Sequence, residues 1–417
     1  MSVSSEVSPQ SAPSGRTPPL AVLVERHVYG RDFWCAYVAN TAMMVAVSLL
    51  YRYADFVTYL GGTEWNVGLI VGCGMVGSLA MRSFQGFGID HFGPRSIWLW
   101  SMALFVCSVS AHVAVASVDS PAIFLLRILY NVSLAGAFGA SITSVSRSLP
   151  LARMAEVIGS LGTSGFIAMA VGPQLGDVLC GHEPISRRDL NTMFIVAAAL
   201  GAVSFLCAEF ATRREPQPSR RRKPPLVWLV RRYHPGGMLF LAVVMGVGFV
   251  IPTTFLPTYI KELNIEHTGT FFLVYAATAF LARVSTRRMP HLVGVRPMIL
   301  IGLAALVLSL LAYMVVQTQW GLALPGIFAG IAHALLFPAV TAQGSASFPN
   351  RYRGLGTTVM LSMLDIGTLT GAPLVGRIVD VSKSFGLPPY RVTFSALAAA
   401  VTLTGVIYAF VSRGARR

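Results

Sequence analysis

The chain has 417 residues, 54% of them hydrophobic and only 12% charged, against roughly a quarter charged in an ordinary soluble domain. Such a chain cannot hide its apolar surface from water, and apolar runs of about 20 residues, each enough to cross about 30 Å of hydrocarbon as helix, recur along its length and leave no room for a soluble catalytic domain. The net charge of +15 reads as membrane orientation rather than nucleic-acid binding, because most of the 32 Lys and Arg fall on one side of those runs.

In chain order, residues 1–32 are rich in Ser and Pro, carry Arg26 and Arg31 and lack a cleavable signal pattern, which predicts a disordered cytoplasmic tail and a surface segment. Spans follow near 33–58, 66–84, 96–117, 121–145, 157–180 and 191–211, forming a first bundle over 33–212. Residues 213–235 form a basic cytoplasmic linker, with Arg220, Arg221, Arg222 and Lys223 together and Pro225–Tyr233 suited to the membrane surface. Spans near 237–259, 268–285, 298–317, 320–345, 355–379 and 391–412 make a second bundle over 236–412, before a basic tail at 413–417. The expected fold is an all-α membrane protein with twelve transmembrane helices in two pseudo-symmetric six-helix bundles. The positive-inside rule puts both termini in the cytoplasm.

The two-bundle expectation rests on a repeat. The stretch from Arg82 to Arg95 carries Gly86, Asp90, Gly93 and Arg95, glycines for a tight reversal and an acid able to cap a helix start. A weaker copy runs from Arg283 to Arg296, where Gly294 and Arg296 align with Gly93 and Arg95 while Arg287 and His291 stand at Gly86 and Asp90. Thr58-Tyr59 with Thr258-Tyr259, Arg153 with Arg353, and Pro173 and Gly176 with Pro373 and Gly376 recur at nearly the same offset. Halves related this way place a solute site between them near the membrane midplane.

Gly86-x-x-x-Asp90-His91-x-Gly93-x-Arg95 resembles the loop signature of the major facilitator superfamily between its second and third helices, with His91 where the family usually has Arg or Lys. The stretches around His333 and Asp365 resemble a bacterial branch described as arabinose-efflux-like permeases. The resemblance covers about residues 33–412. It implies transport by alternating access, with the Asp90 loop clasping the start of the eleventh helix as a gate. Arg127 and Asn131, followed by Gly136 and Gly139, partly match a fourth-helix motif associated with proton coupling. Gly172-Pro173-x-x-Gly176, with Gly165 on the same face, matches a fifth-helix motif common in exporters, although the same glycines serve any tightly packed bundle.

Among the spans, Thr41, Ser48, Arg52, Asp55 and Tyr59 fall on one face of a regular helix. Charges inside a membrane are costly unless they face protein or water, so this face either lines the cavity or marks the outer end of the helix in the headgroup zone. Asp365, with Thr358 and Ser362 on its face, has the chemistry of a proton-coupling carboxylate, and His333 is a second titratable group equally explained as packing. His112 and Asp177 are weaker candidates. The five cysteines show no metal-ligand spacing and no nucleotide-binding loop appears, so no cofactor, no metal and no enzymatic activity are expected. The expected function is secondary active transport of a small organic solute across the inner membrane, with protons as the coupling partner, the lipid bilayer as the setting and a monomer as the unit, leaning to efflux. Uptake of an anionic metabolite and a non-transporting membrane sensor are the alternatives.

Overall fold

The computed structural model describes residues 29–147, 151–213 and 226–414, so the tail before residue 29 and most of the predicted linker lie outside the described residues. All regular elements among the described residues are helical. The first half consists of α1 (Arg31–Tyr59), α2 (Glu64–Ala111), α3 (Pro121–Arg147), α4 (Leu151–Cys180) and α5 (Arg187–Thr212). A short α6 (Leu226–Arg232) leads to the second half, α7 (Gly237–Glu262), α8 (Gly269–Ser285), α9 (Met289–Leu292), α10 (Val295–Tyr313), α11 (Ala323–Ala346), α12 (Arg353–Ser384) and α13 (Pro389–Gly414).

Nine helices among the described residues are long and apolar enough to cross a membrane, and one of them is 51 residues long. That helix, which contains α2, is about twice what a bilayer requires. It is broken at Gly93, where φ 82° and ψ 156° are open to glycine and where Pro94 begins the next run. The second and third expected spans are its two arms. Gly294, immediately before α10, has φ 84° and ψ 170°, so the weaker copy of the loop makes the same turn. The fifth expected span is α4 and the eighth is the shorter α8.

Helix ends follow their sequence. Thr63 N–H and hydroxyl both donate to Asn66 Oδ1, at 2.9 and 3.2 Å, at the start of α2. Ser186 and Asp189 exchange bonds at the start of α5, Asp189 N–H to Ser186 Oγ at 3.3 Å and Ser186 N–H to Asp189 Oδ2 at 2.9 Å. The first helix of each half is irregular at matching places: α1 tightens to a 3₁₀ turn over Leu50–Arg52, and α7 widens to a π turn over Ile251–Phe255, next to Pro252.

Close packing depends on missing side chains. A Cβ on Gly77 would lie 2.2 Å from the Ile128 carbonyl oxygen of α3, and one on Gly68 would lie 2.2 Å from that of Ala372 in α12. The second contact joins the two halves along α2 and α12, and α4 against α8 forms the matching seam. Buried aromatic clusters fill each half, Phe56 with Phe194 at 4.9 Å in one and Tyr313 with Phe394 at 5.0 Å in the other. Outward faces carry large apolar side chains, among them Trp100, Val178, Ile195, Phe410 and Val411, a pattern suited to lipid. The five cysteines are free.

Candidate functional site

The end of the bundle opposite the Arg82–Arg95 turn, called here the far end, holds a dense polar cluster. Arg52 and Asp55 sit in it at 2% and 1% exposure. The Arg52 guanidinium is fully used. Its Nη1 donates to Asp55 Oδ2 at 3.0 Å and to the Cys180 carbonyl at 2.6 Å, while Nε and Nη2 donate to Asp177 Oδ1 at 3.0 and 2.8 Å. Nη2 also donates across the halves to the Glu266 carbonyl at 2.5 Å. A planar fork of five N–H groups is the side chain that can make this set. Lys261 Nζ of the second half stands 2.9 Å from Asp55 Oδ1, an ion-pair contact without hydrogen-bond alignment, and 3.0 Å from Glu183. In the loop after α4, burial works to raise the Glu183 carboxyl, but the hydrogen bond and charge of Lys261 outweigh it and hold that carboxyl below the ordinary value.

Asp177 is the second centre of the cluster. Besides Arg52, it accepts from Thr268 N–H at 3.1 Å, Thr268 Oγ1 at 2.9 Å and Gly269 N–H at 2.6 Å. A carboxylate at the end of α4 therefore caps the start of α8 in the other half. The converse also occurs: Asp380, near the end of α12, accepts from Trp65 N–H in the first turn of α2 at 3.1 Å. Lys383 adds ion pairs to Glu64 at 2.6 Å and Glu262 at 3.3 Å. The far end is thus closed by contacts between halves.

The expected single face of the first span does not hold together as a cavity face. Ser48 is buried and donates to the Ala168 carbonyl of α4 at 2.7 Å, Thr41 donates to its own helix at Tyr37, and Tyr59 is exposed beyond the cluster. A single face requires regular helical spacing through Arg52, and the 3₁₀ turn at Leu50–Arg52 rotates the residues beyond it. Arg52 and Asp55 close the far end in the protein interior, a third placement beside the two expected ones. Asp177, the weak candidate, is the carboxylate that holds two donors of Arg52.

Midway along the other seam, Asp365 of α12 accepts from Arg82 Nε and from Ser78 Oγ of α2, both at 2.6 Å. The Arg82 and Asp365 side chains are 13% and 14% exposed, so this ion pair between halves is largely removed from water. No pattern in the sequence pairs Arg82 with Asp365 directly. The clue was Ser78 and Arg82, one turn apart on one face of the second span.

Arg127 of α3 lies between two rings, its guanidinium carbon 4.4 Å from the Tyr53 centroid and 4.7 Å from that of Tyr130. Its buried Nε has no hydrogen-bond partner. Asn131 is turned back to the Arg127 carbonyl at 3.0 Å, and both press on Gly74 of α2. In the second half, His333 Nδ1 and the Tyr275 hydroxyl share a short hydrogen bond inside a box of Phe249 and Phe337. His112 is stacked on Phe194 at 5.0 Å, with Nδ1 at the Ser108 carbonyl, a packing role.

In the loop, Gly86 faces Leu355 near the start of α12, and His91 stacks on Phe87 at 5.5 Å. Arg95 donates to Glu209 of α5 at 2.7 Å, which ties the loop within its own half. Of the fifth-span glycines, Gly172 is the tight one: a Cβ there would meet Ser48 Oγ at 2.0 Å. Gly176 makes ordinary contact with Leu49 and Arg52, Gly165 has room, and Pro173 is buried within α4.

The chain belongs to the Major Facilitator Superfamily, whose profile matches residues 33–292 and 268–417. It is a multi-pass membrane transporter of small solutes and not an enzyme. It is similar to the multidrug resistance protein MdtG of Enterobacter lignolyticus, at 23% identity over 90% of both chains. It is also similar to the staphylopine export protein of Staphylococcus aureus, at 21% identity over 77% of this chain and 82% of that one. The fold matches the crystal structure of the nucleoside transporter NupG (D323A mutant) with a TM-score of 0.77 at 13% identity, covering 91% of this chain and 99% of that one.

Proposed function

We propose that this chain is a proton-coupled exporter of a small organic solute, acting as a monomer in the bacterial inner membrane with both termini in the cytoplasm. The observation that carries the reading is the Asp365–Arg82 ion pair, with Ser78 as second donor, spanning the two halves at 2.6 Å. Protonating Asp365 removes the charge that holds Arg82 and frees α2 to move against α12. Releasing the proton restores the pair. A carboxylate that is either paired or protonated can therefore link proton movement to rocking of the halves.

With the termini cytoplasmic, the closed far end faces the periplasm, so solute enters from the cytoplasmic side. Closing behind the solute requires opening the Arg52–Asp177–Thr268 cluster. The Asp90 loop and the start of α12 then form the opposite gate. Residues 33–212 and 236–412 move as the two rocking units, and 213–235 link them. Similarity to a multidrug resistance protein and to a staphylopine export protein supports the outward direction.

The test uses inverted membrane vesicles energised to an acid interior. Addition of a transported solute dissipates the proton gradient in the wild type and fails to do so in Asp365→Asn, with Arg82→Gln behaving alike. Equal dissipation in the wild type and Asp365→Asn removes Asp365 from coupling. No dissipation by any solute, from protein shown to be folded, returns the reading to a non-transporting sensor.

A further inference from the structure

Arg82 and Arg283 occupy matching places in the repeat, one on the second helix of each half. Each reaches toward the helix of the opposite half that it packs on. Arg82 meets Asp365 of α12. Arg283 meets the α4 seam instead, its guanidinium carbon 5.8 Å from the ring of Phe166. The residue of α4 that matches Asp365 is Gly165, the neighbour of Phe166, by the alignment that pairs Pro173 with Pro373. Arg283 makes no hydrogen bond or ion pair among the described residues, and it is exposed. A Cβ on Gly165 would meet nothing closer than Met44 Cε at 3.9 Å, so a side chain can start there without displacing a neighbour. Phe280, 6.1 Å from Phe166, forms an apolar flank.

We propose that Arg283 and the open place at Gly165 form a seat for an oxyanion, a carboxylate or phosphate group, which supplies the charge that Asp365 supplies to Arg82. Arg283 stands in the last turn of α8 with its donors unused among the described residues, and a guanidinium matches a carboxylate or phosphate through paired N–H donors. The aromatic flank favours an anion with a planar apolar body. The group comes either from the carried solute, which is then an organic acid, or from an anionic lipid headgroup. The solute form rests on the transport reading given above, whereas the seat itself requires only binding.

The experiment measures thermal stabilisation of the full chain in detergent by benzoate, with neutral benzamide as control. In parallel, the chain is studied in nanodiscs of phosphatidylcholine with and without phosphatidylglycerol. The variants are Arg283→Gln, Arg283→Lys and Gly165→Asp. Gly165→Asp fills the seat with an internal carboxylate and so decides the matter if Arg283→Gln does not fold. A benzoate shift that benzamide lacks, that weakens by roughly tenfold or more in Arg283→Gln, returns in part in Arg283→Lys and vanishes in Gly165→Asp supports a solute oxyanion. The same pattern seen with phosphatidylglycerol alone supports a headgroup. A benzoate or lipid effect unchanged in Arg283→Gln and Gly165→Asp, or no anion effect at all, overturns the seat. Because binding is read without a gradient, proton flux that fails beside anion binding that succeeds removes the transport reading alone, and the converse removes the seat alone.

Discussion

Asp177 offers the sharpest test of how the far end closes. Its carboxylate accepts from Arg52 within its own half and from Thr268 and Gly269 in the other, so Asp177→Asn attacks folding and closure at once. The two effects separate with Thr268→Val, which removes the 2.9 Å bond from Thr268 Oγ1 to Asp177 and leaves the bonds between Asp177 and Arg52 in place. A hydrogen bond to a charged group contributes about 1.5–3 kcal/mol, so Thr268→Val is expected to shift the equilibrium away from the closed far end by roughly 10- to 150-fold. Asp177→Asn is expected to shift it at least as far and to lower the melting temperature as well. Leaving the buried Arg52 with half its counter-charge destabilises the fold by up to about 3–5 kcal/mol. Spin labels at Tyr59 and Phe385, exposed positions in different halves at this end, report the separation by pulsed dipolar spectroscopy after the native cysteines are replaced. Distance distributions in both variants identical to those of the parent would refute the assignment of this cluster as the closure.

Other expectations rest on single contacts. Gly172→Ala places a Cβ 2.8 Å from the backbone atoms Leu49 N and Val45 O, which cannot turn aside, and should destabilise by about 1–3 kcal/mol in a thermal melt, while Gly165→Ala, with its nearest atom at 3.9 Å, should be close to neutral. Gly93→Ala and Gly294→Ala force φ values of 82° and 84° on a residue with a Cβ, so each should lose about 1–3 kcal/mol, readable by detergent melts of the single variants. Asp365→Asn should keep its bond to Ser78 and lose its charge for Arg82, lowering the melting temperature by less than Asp177→Asn does because this pair is the more exposed, while proton-linked flux is lost. Glu183 has a lowered carboxyl pKa, so its contact with Lys261 contributes fully above the ordinary carboxylate value and fades as pH falls through the lowered one. Stability of Glu183→Gln relative to the parent should therefore be independent of pH near neutrality and converge with the parent only in acid.

The membrane fold was legible because hydropathy and charge asymmetry are properties of whole segments and survive local irregularity. The repeat was legible for a reason that the backbone explains: Gly93 and Gly294 hold the same rare turn, and glycine is needed at both. The site was legible only in part. Arg52 and Asp55 are three residues apart and pair, but the other carboxylate on Arg52, Asp177, lies 125 residues away, and no local pattern connects them. On the face drawn through Thr41, Ser48 and Tyr59, Ser48 is taken up by the Ala168 carbonyl of α4, and the 3₁₀ turn at Leu50–Arg52 turns Tyr59 away from the residues before it. Asp365 was singled out by its chemistry. Its partner Arg82 fell at the end of the span expected near 66–84, where the helix in fact continues to the break at Gly93.

The exchanged acids at the far end have a consequence for water. Asp177 satisfies backbone N–H groups at the start of α8, and Asp380 does so at the start of α2, each carboxylate belonging to the opposite half. If the halves part as proposed, both helix starts lose these acceptors, and solvent must replace them. The opening proposed above would therefore hydrate two separate places, one on each seam, and each released contact would need water at its own helix start.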